Sequence, residues 1–162
     1  MNDYTYNNLE SSYNKGDHRP IRSLPESVKA RRRQIKVEAK KLIPVTIHHR
    51  IFDKNIRITG NTIREWLNQP HCNYAEKNEM LLNIEVVIRE SEYLGQKPDK
   101  HIRGVIAHIF KTNVDNVDSW IIVREFPDGN VLLHSISDSP KVTDGIIKTR
   151  NTDPQKCNLK SP

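Results

Sequence analysis

The chain has 162 residues, an apolar fraction of 35% and a formal net charge of +6. That length suits one domain plus tails, and an apolar fraction below the roughly 45–50% of typical globular domains means that part of the chain contributes no core. No apolar run approaches the ~18–20 residues of a membrane span, no charged start leads into a secretory-type apolar region, and Cys72 and Cys157 give no disulfide framework, so a cytosolic protein without membrane partners is expected.

Residues 1–22 are rich in Asn, Ser and Tyr and nearly devoid of aliphatic side chains. Such a segment cannot bury enough surface to offset its ordering entropy, which predicts disorder. Ser23-Leu24-Pro25-Glu26 opens a helix: Ser23 can cap, Pro25 fits the first turn, and Glu26 favours the positive helix end. Over residues 24–42, seven Lys and Arg stand against two Glu, while Val28, Ile35, Ala39 and Leu42 give only a thin apolar stripe. Two readings are open: a solvated surface helix, or a helix whose Arg31, Arg32 and Arg33 contact phosphates. The stripe is too narrow for a membrane helix.

Pro44 ends that helix. Val45, Ile47, His49 and Ile51 then alternate with polar residues, the period of a strand, and a second short strand runs from Asn55 to Thr59. Gly60 breaks it, and Asn61 can cap a short helix, Thr62 to Asn68. After Pro70-His71 a long amphipathic helix begins near Tyr74 and fades by Gly95, with Leu81, Ile84 and Ile88 as its apolar stripe. Residues 96–100 read as a loop. Val105 to Lys111 alternates again, and Ser119–Phe126 with Val131–Asp138 form a hairpin around Pro127-Asp128-Gly129-Asn130. The order of elements predicts an α+β fold, N-terminal helices packed on an antiparallel sheet: a single domain over 23–142 and a flexible basic tail over 143–162.

One turn before Leu81 lies Lys77, so its ammonium is expected at the rim of the helix–sheet core, with His71 in the turn entering the same helix. Helix N-termini favour phosphate oxygens, a lysine adds a point charge, and an imidazole moves protons near neutral pH. The competing readings are structural: His71 punctuating the turn, Lys77 snorkelling from the core edge, and Cys72 a small buried residue. On the hairpin, pairing about Asp128-Gly129 sets Ile122 opposite Ser135 and leaves Arg124, His134 and Ser135 as polar insertions; a bulge would shift that register. Arg124 reads alternatively as a salt-bridge partner of a neighbouring Glu, and His134 as a half-buried strand histidine. His48, His49, His101 and His108 have no metal-ligand spacing, and there is no Gly-rich phosphate loop, nucleophile elbow or calcium loop, so no cofactor and no metal is expected.

The stretches ITGNTIREWLNQPH, YAEKNEMLLNIEVVIRESEYLG and SWIIVREFPDGNVLLHSISDS together resemble the phage-associated nuclease-like domains of the barnase, EndoU, colicin and RelE fold, over roughly Leu42 to Asp138. Such domains occur in phage and mobile-element proteins, often inside large polyvalent polypeptides. The resemblance implies helices packed on a curved antiparallel sheet, barnase-like or RelE-like, and metal-independent cleavage of RNA in which the 2′-OH attacks the adjacent phosphate. It implies His71 as acid or base, Lys77 as phosphate ligand, Arg124 steadying the transition-state charge, and Ser135 and Ser137 hydrogen-bonding the phosphate. His134 stands where an aromatic is equally expected, which leaves open which histidine does what. The partners implied are RNA and an inhibitor or phage protein. The alternative is a non-catalytic module on the same fold that binds nucleic acid or protein, in keeping with a slightly acidic core: residues 43–140 hold eleven basic and thirteen acidic side chains.

Overall fold

The computed structural model describes residues 4–6, 18–20 and 23–147. Within the N-terminal segment, β1 (Tyr4–Tyr6) and β2 (His18–Pro20) pair antiparallel; the rest of the expected disorder, like residues 148–162 of the expected tail with Cys157, lies outside the described residues.

Helix α1 (Glu26–Lys40) starts two residues later than the sequence suggests. Its N-cap is Pro25, with no side-chain cap, so Ser23 does not take that role. Ile35 and Ala39 are its buried residues, four apart on one face. Strands β3 (Val45–His48) and β4 (Asn55–Ile58) follow as an antiparallel pair.

Helix α2 (Gly60–Asn68) takes Thr59, not Asn61, as its cap. Thr59 Oγ1 accepts from the Thr62 backbone N–H at 3.2 Å, and Thr62 Oγ1 accepts from the Thr59 N–H at 3.1 Å. This reciprocal box satisfies two otherwise orphaned donors and stabilises the helix by about 1 kcal/mol. Ile63, Trp66 and Leu67 then face the core.

The long helix is broken. Helix α3 (Tyr74–Met80) passes through a 3-10 turn at Leu81–Asn83 into α4 (Ile84–Glu90). The stripe expected from spacing is buried as expected: Leu81, Ile84 and Ile88 are at most 2% exposed. Chain direction changes sooner than the sequence suggests, because Ser91 is already extended and β5 (Glu92–Pro98) replaces the expected helix end and loop. Its register shifts between Tyr93 and Gly95, which removes the strict alternation by which a strand is recognised. Strands β6 (Ile106–Val114), β7 (Val117–Glu125) and β8 (Val131–Ser137) complete the sheet.

The six-stranded order is β3-β4-β8-β7-β6-β5. Every pairing is antiparallel except β4 with β8, which touch in parallel at Arg57 and Leu132. The expected α+β class therefore holds, with a mixed sheet, and the arrangement of helices on it is consistent with a barnase-like class. Beyond Leu132, the edge of β8 is met by α2: Thr62 Oγ1 donates to the Leu133 carbonyl at 2.5 Å.

One sheet face packs against the helices, with Phe110, Ile121, Val123, Leu133 and Ile136 against Ile35, Trp66, Leu81 and Ile88. Burying each such side chain contributes roughly 1.5–3 kcal/mol. The opposite face carries a smaller cluster of Ala107, Ile109 and Trp120, packed against Leu94, Ile122, Val142 and Ile146. That second cluster orders the start of the tail, where Ile147 bridges Gln96 of β5.

Candidate functional site

His71 follows α2 at the Gln69-Pro70 turn and is fully buried. Its Nδ1 accepts the Asn73 backbone N–H at 2.8 Å, and its Nε2 lies 2.8 Å from Ser119 Oγ, which itself donates to the Val117 carbonyl at 3.1 Å. The pattern assigns the proton to Nε2 and makes the ring a neutral staple between the turn and β7. Next to it, the buried Cys72 holds its Sγ 3.8 Å from His71 Nδ1 and donates its backbone N–H to Asp138 Oδ2 at 3.0 Å. Among the described residues, His71, Cys72 and Asp138 are the group whose nitrogen, sulfur and oxygen donors lie within 4.8 Å of one another. Both His71 nitrogens already have protein partners there.

Lys77 does not reach the rim of the core. It is fully buried, because the C-terminal carbonyls of α2 offer it acceptors inside: its Nζ donates to Trp66 O and, at 2.8 Å, to Gln69 O. The negative end of a helix is a favourable place for a cation. Nζ also lies 4.5 Å over the Tyr74 ring. Burial pushes the Lys77 ammonium well below the usual lysine range, and the Arg32 charge adds to this while Asp138 opposes it.

The three arginines of α1 behave differently. Arg31 forks onto Glu79 of α3, with Nη2 2.7 Å from Oε1. Arg32 donates to Tyr74 Oη at 3.0 Å and to Asn68 Oδ1 at 2.6 Å. Arg33 is exposed, as are Lys36 and Lys40, and among the described residues none of these three has a carboxylate partner.

Arg124, Ser135 and Ser137 fall on the other sheet face. Ile122 stands opposite Ser135 as expected, with Trp120 opposite Ser137 in the same register; beyond them a bulge leaves His134 as the extra residue, so that the unshifted register, which sets Arg124 opposite Leu133, gives way to a pairing of Arg124 with Leu132. Ser119, which holds His71, points to the opposite face from its neighbour Trp120. Arg124 Nε donates to Asp99 Oδ1 at 2.9 Å, a largely buried pair, so its partner is an Asp from the loop after β5 and not a Glu. Asp99 Oδ2 accepts the backbone N–H groups of His101 and Ile102 at 2.9 and 2.8 Å. Burial pushes the Asp99 carboxyl up, but those two N–H groups and Arg124 outweigh it and hold it below the usual range. Burial lowers the half-buried His134 imidazole, and the Arg124 charge lowers it further. Ser135 is buried, and Ser137 Oγ accepts the Ser139 N–H at 3.0 Å.

The expected catalytic set thus falls into two groups. His71 and Lys77 sit inside the helix side of the sheet; Arg124, His134 and Ser135 share the far face.

Sequence reasoning missed two polar arrangements. At one end of the sheet, Tyr93 Oη lies 2.9 Å from His108 Nδ1, His108 Nε2 lies 2.8 Å from Glu125 Oε1, and Glu125 Oε2 takes Lys54 Nζ at 2.7 Å. Burial lowers the His108 imidazole against the pull of Glu125, and burial with Glu125 pushes the Tyr93 hydroxyl up to about 12. The register of β5, β6 and β7 joins Tyr93, His108 and Glu125, and Lys54 reaches Glu125 from the turn before β4. Asp99 was findable, since an Asp accepting the N–H groups two and three residues on is a local turn device. The second arrangement is a pocket of about 120 Å3 between α1 and α3, lined by Val28, Arg31, Arg32, Ile35, Ala75 and Asn78 among others.

A family model described as large polyvalent protein-associated domain 3 matches residues 26–135. No curated protein and no solved structure matches the chain.

Proposed function

The chain belongs to the large polyvalent protein-associated domain 3 family, and from that premise we propose that it is a non-catalytic, RNA-binding domain of a phage-associated protein. The observation that carries this reading is the outer face of α1. Arg33, Lys36 and Lys40 are exposed and lack carboxylate partners among the described residues, while Arg31 and Arg32 are anchored to α3 and α2. Helix α1 is fixed to the domain by its arginines and by Ile35 and Ala39, and offers the remaining charge to solvent. Such a face contacts phosphates without reading sequence. No helix of the described residues is long and apolar enough to cross a membrane.

The test is fluorescence anisotropy of the purified chain with a labelled single-stranded RNA across a salt series. Three released counterions give a slope of log K against log salt of about −2. Absence of salt-dependent binding overturns the reading.

Cleavage keeps one observation in its favour: Arg124, the half-buried His134 and Ser135 share one sheet face. On that reading His134 is the acid or base, and His71 and Lys77, buried and bonded internally, support the fold. Recovery of the RNA from the same titration, in EDTA, separates the two: cyclic or 3′-phosphate ends mark metal-independent cleavage, and intact RNA marks binding alone.

A further inference from the structure

Asn78 lies on α3, 2% exposed, and its Oδ1 is buried with no hydrogen-bond partner. It lines the pocket between α1 and α3. An orphaned buried acceptor costs about 1–3 kcal/mol, so a donor that reaches Oδ1 through the pocket wall regains what the free protein forgoes. The volume, about 120 Å3, is well under the roughly 300 Å3 at which pockets take drug-sized molecules. It suits one ring system. Val28, Ile35 and Ala75 supply apolar walls, and Arg31 and Arg32 stand at the same pocket on the basic helix.

The geometry points to a base-binding subsite: Asn78 takes a single unstacked adenine of a bound strand, with Arg31 and Arg32 beside it. An asparagine amide presents an acceptor and a donor side by side, which matches the N6 amine and N7 of adenine. The bases of a single strand are free to leave the stack and enter such a slot, and planar guanidinium groups stack on bases. Arg31 and Arg32 are already held by Glu79, Asn68 and Tyr74, so little ordering is needed when a base arrives. This inference rests on the RNA-binding reading above, and adds to it a preference that phosphate contacts alone do not give.

The experiment compares anisotropy titrations of oligo(A) and oligo(U) with the full chain, and adds AMP as a separate ligand. The wild type is expected to bind oligo(A) about tenfold more tightly than oligo(U), the scale of one bidentate base contact. Asn78→Ala removes the amide without adding a charge, and Ala75→Leu fills the slot from its other wall; circular dichroism establishes which of them is folded. Loss of the oligo(A) preference in a folded variant, with oligo(U) affinity unchanged, supports the subsite. Equal affinity of the wild type for both oligomers overturns the subsite and leaves the RNA-binding reading standing. Binding of AMP but of neither oligomer, abolished by Ala75→Leu, supports the pocket as a free-nucleotide site and overturns the RNA-binding reading. Binding of none of the three overturns both, and assigns the pocket to water.

Discussion

Trp66 and Lys77 hold each other twice: the Trp66 indole N–H donates to the Lys77 carbonyl at 2.8 Å, and the Lys77 ammonium donates to the Trp66 carbonyl. Both residues are fully buried, so the contact joins the end of α2 to α3 inside the core. A lysine read from spacing as a phosphate ligand is the polar clasp between two helices.

Lys77→Met keeps the stem and removes the ammonium, leaving the Trp66 and Gln69 carbonyls short of a donor. A loss of about 1–3 kcal/mol is expected in urea unfolding, with RNA affinity unchanged. The wild type carries a pH signature that the variant lacks. With the folded pKa depressed, the unfolded chain binds the extra proton in the window below the usual lysine value of ~10.4, so stability rises with pH there. Tyr93 acts in the opposite sense above ~10, because its folded hydroxyl, pushed up to about 12, keeps a proton that the unfolded chain loses.

Acid weakens the fold in two steps. Burial lowers the His108 and His134 imidazoles, so the unfolded chain binds protons first as pH falls through ~6.5. The stability these groups contribute is full above that value and is lost between it and their folded pKa. Asp99 and Glu125, both held below the usual carboxylate range, add a second loss below ~4. Urea midpoints measured from pH 8 to pH 5 are expected to decline, and the decline should shrink in His134→Gln. A flat profile contradicts this assignment.

Gly95 marks where the tail meets β5. Its φ is +140°, and a Cβ there would lie 2.6 Å from Ile146 Cγ2 and 2.7 Å from the Ile147 carbonyl oxygen. Gly95→Ala is expected to cost about 1–3 kcal/mol and to raise amide exchange at Ile147, whose N–H donates to Gln96 O at 2.7 Å. Unchanged protection at Ile147 contradicts the close packing.

Much of the fold was legible because it is written in period. Leu81, Ile84 and Ile88 marked the buried helical stripe, and Pro127-Asp128-Gly129-Asn130 marked the hairpin with the Ile122–Ser135 pairing. What failed depends on contacts between distant residues. The β5 strand is masked by its register shift at Gly95, and the parallel β4–β8 contact follows from α2 docking through Thr62. The site residues were chosen by type and neighbourhood in the chain, yet the fate of each is set by partners far away. Ser119 takes His71, the α2 carbonyls take Lys77, and Asp99 takes Arg124. Asn78 carried no signal in sequence, since an unsatisfied acceptor exists only once the helices pack.

Charge reversal on α1 separates binding from folding. Arg33, Lys36 and Lys40 are exposed and make no described salt bridge, so changing all three to Glu should move stability by little more than about 0.5 kcal/mol per site. RNA affinity is expected to fall and its salt slope to lose about 0.7 for each phosphate contact removed.

The most direct measurement is the salt-dependent titration of the wild-type chain with single-stranded RNA in EDTA, followed by analysis of the recovered strand. The expected result is binding that weakens with a slope of about −2 and RNA that returns intact. RNA that returns cleaved, or affinity that does not respond to salt, would contradict a domain that binds RNA through the basic face of α1.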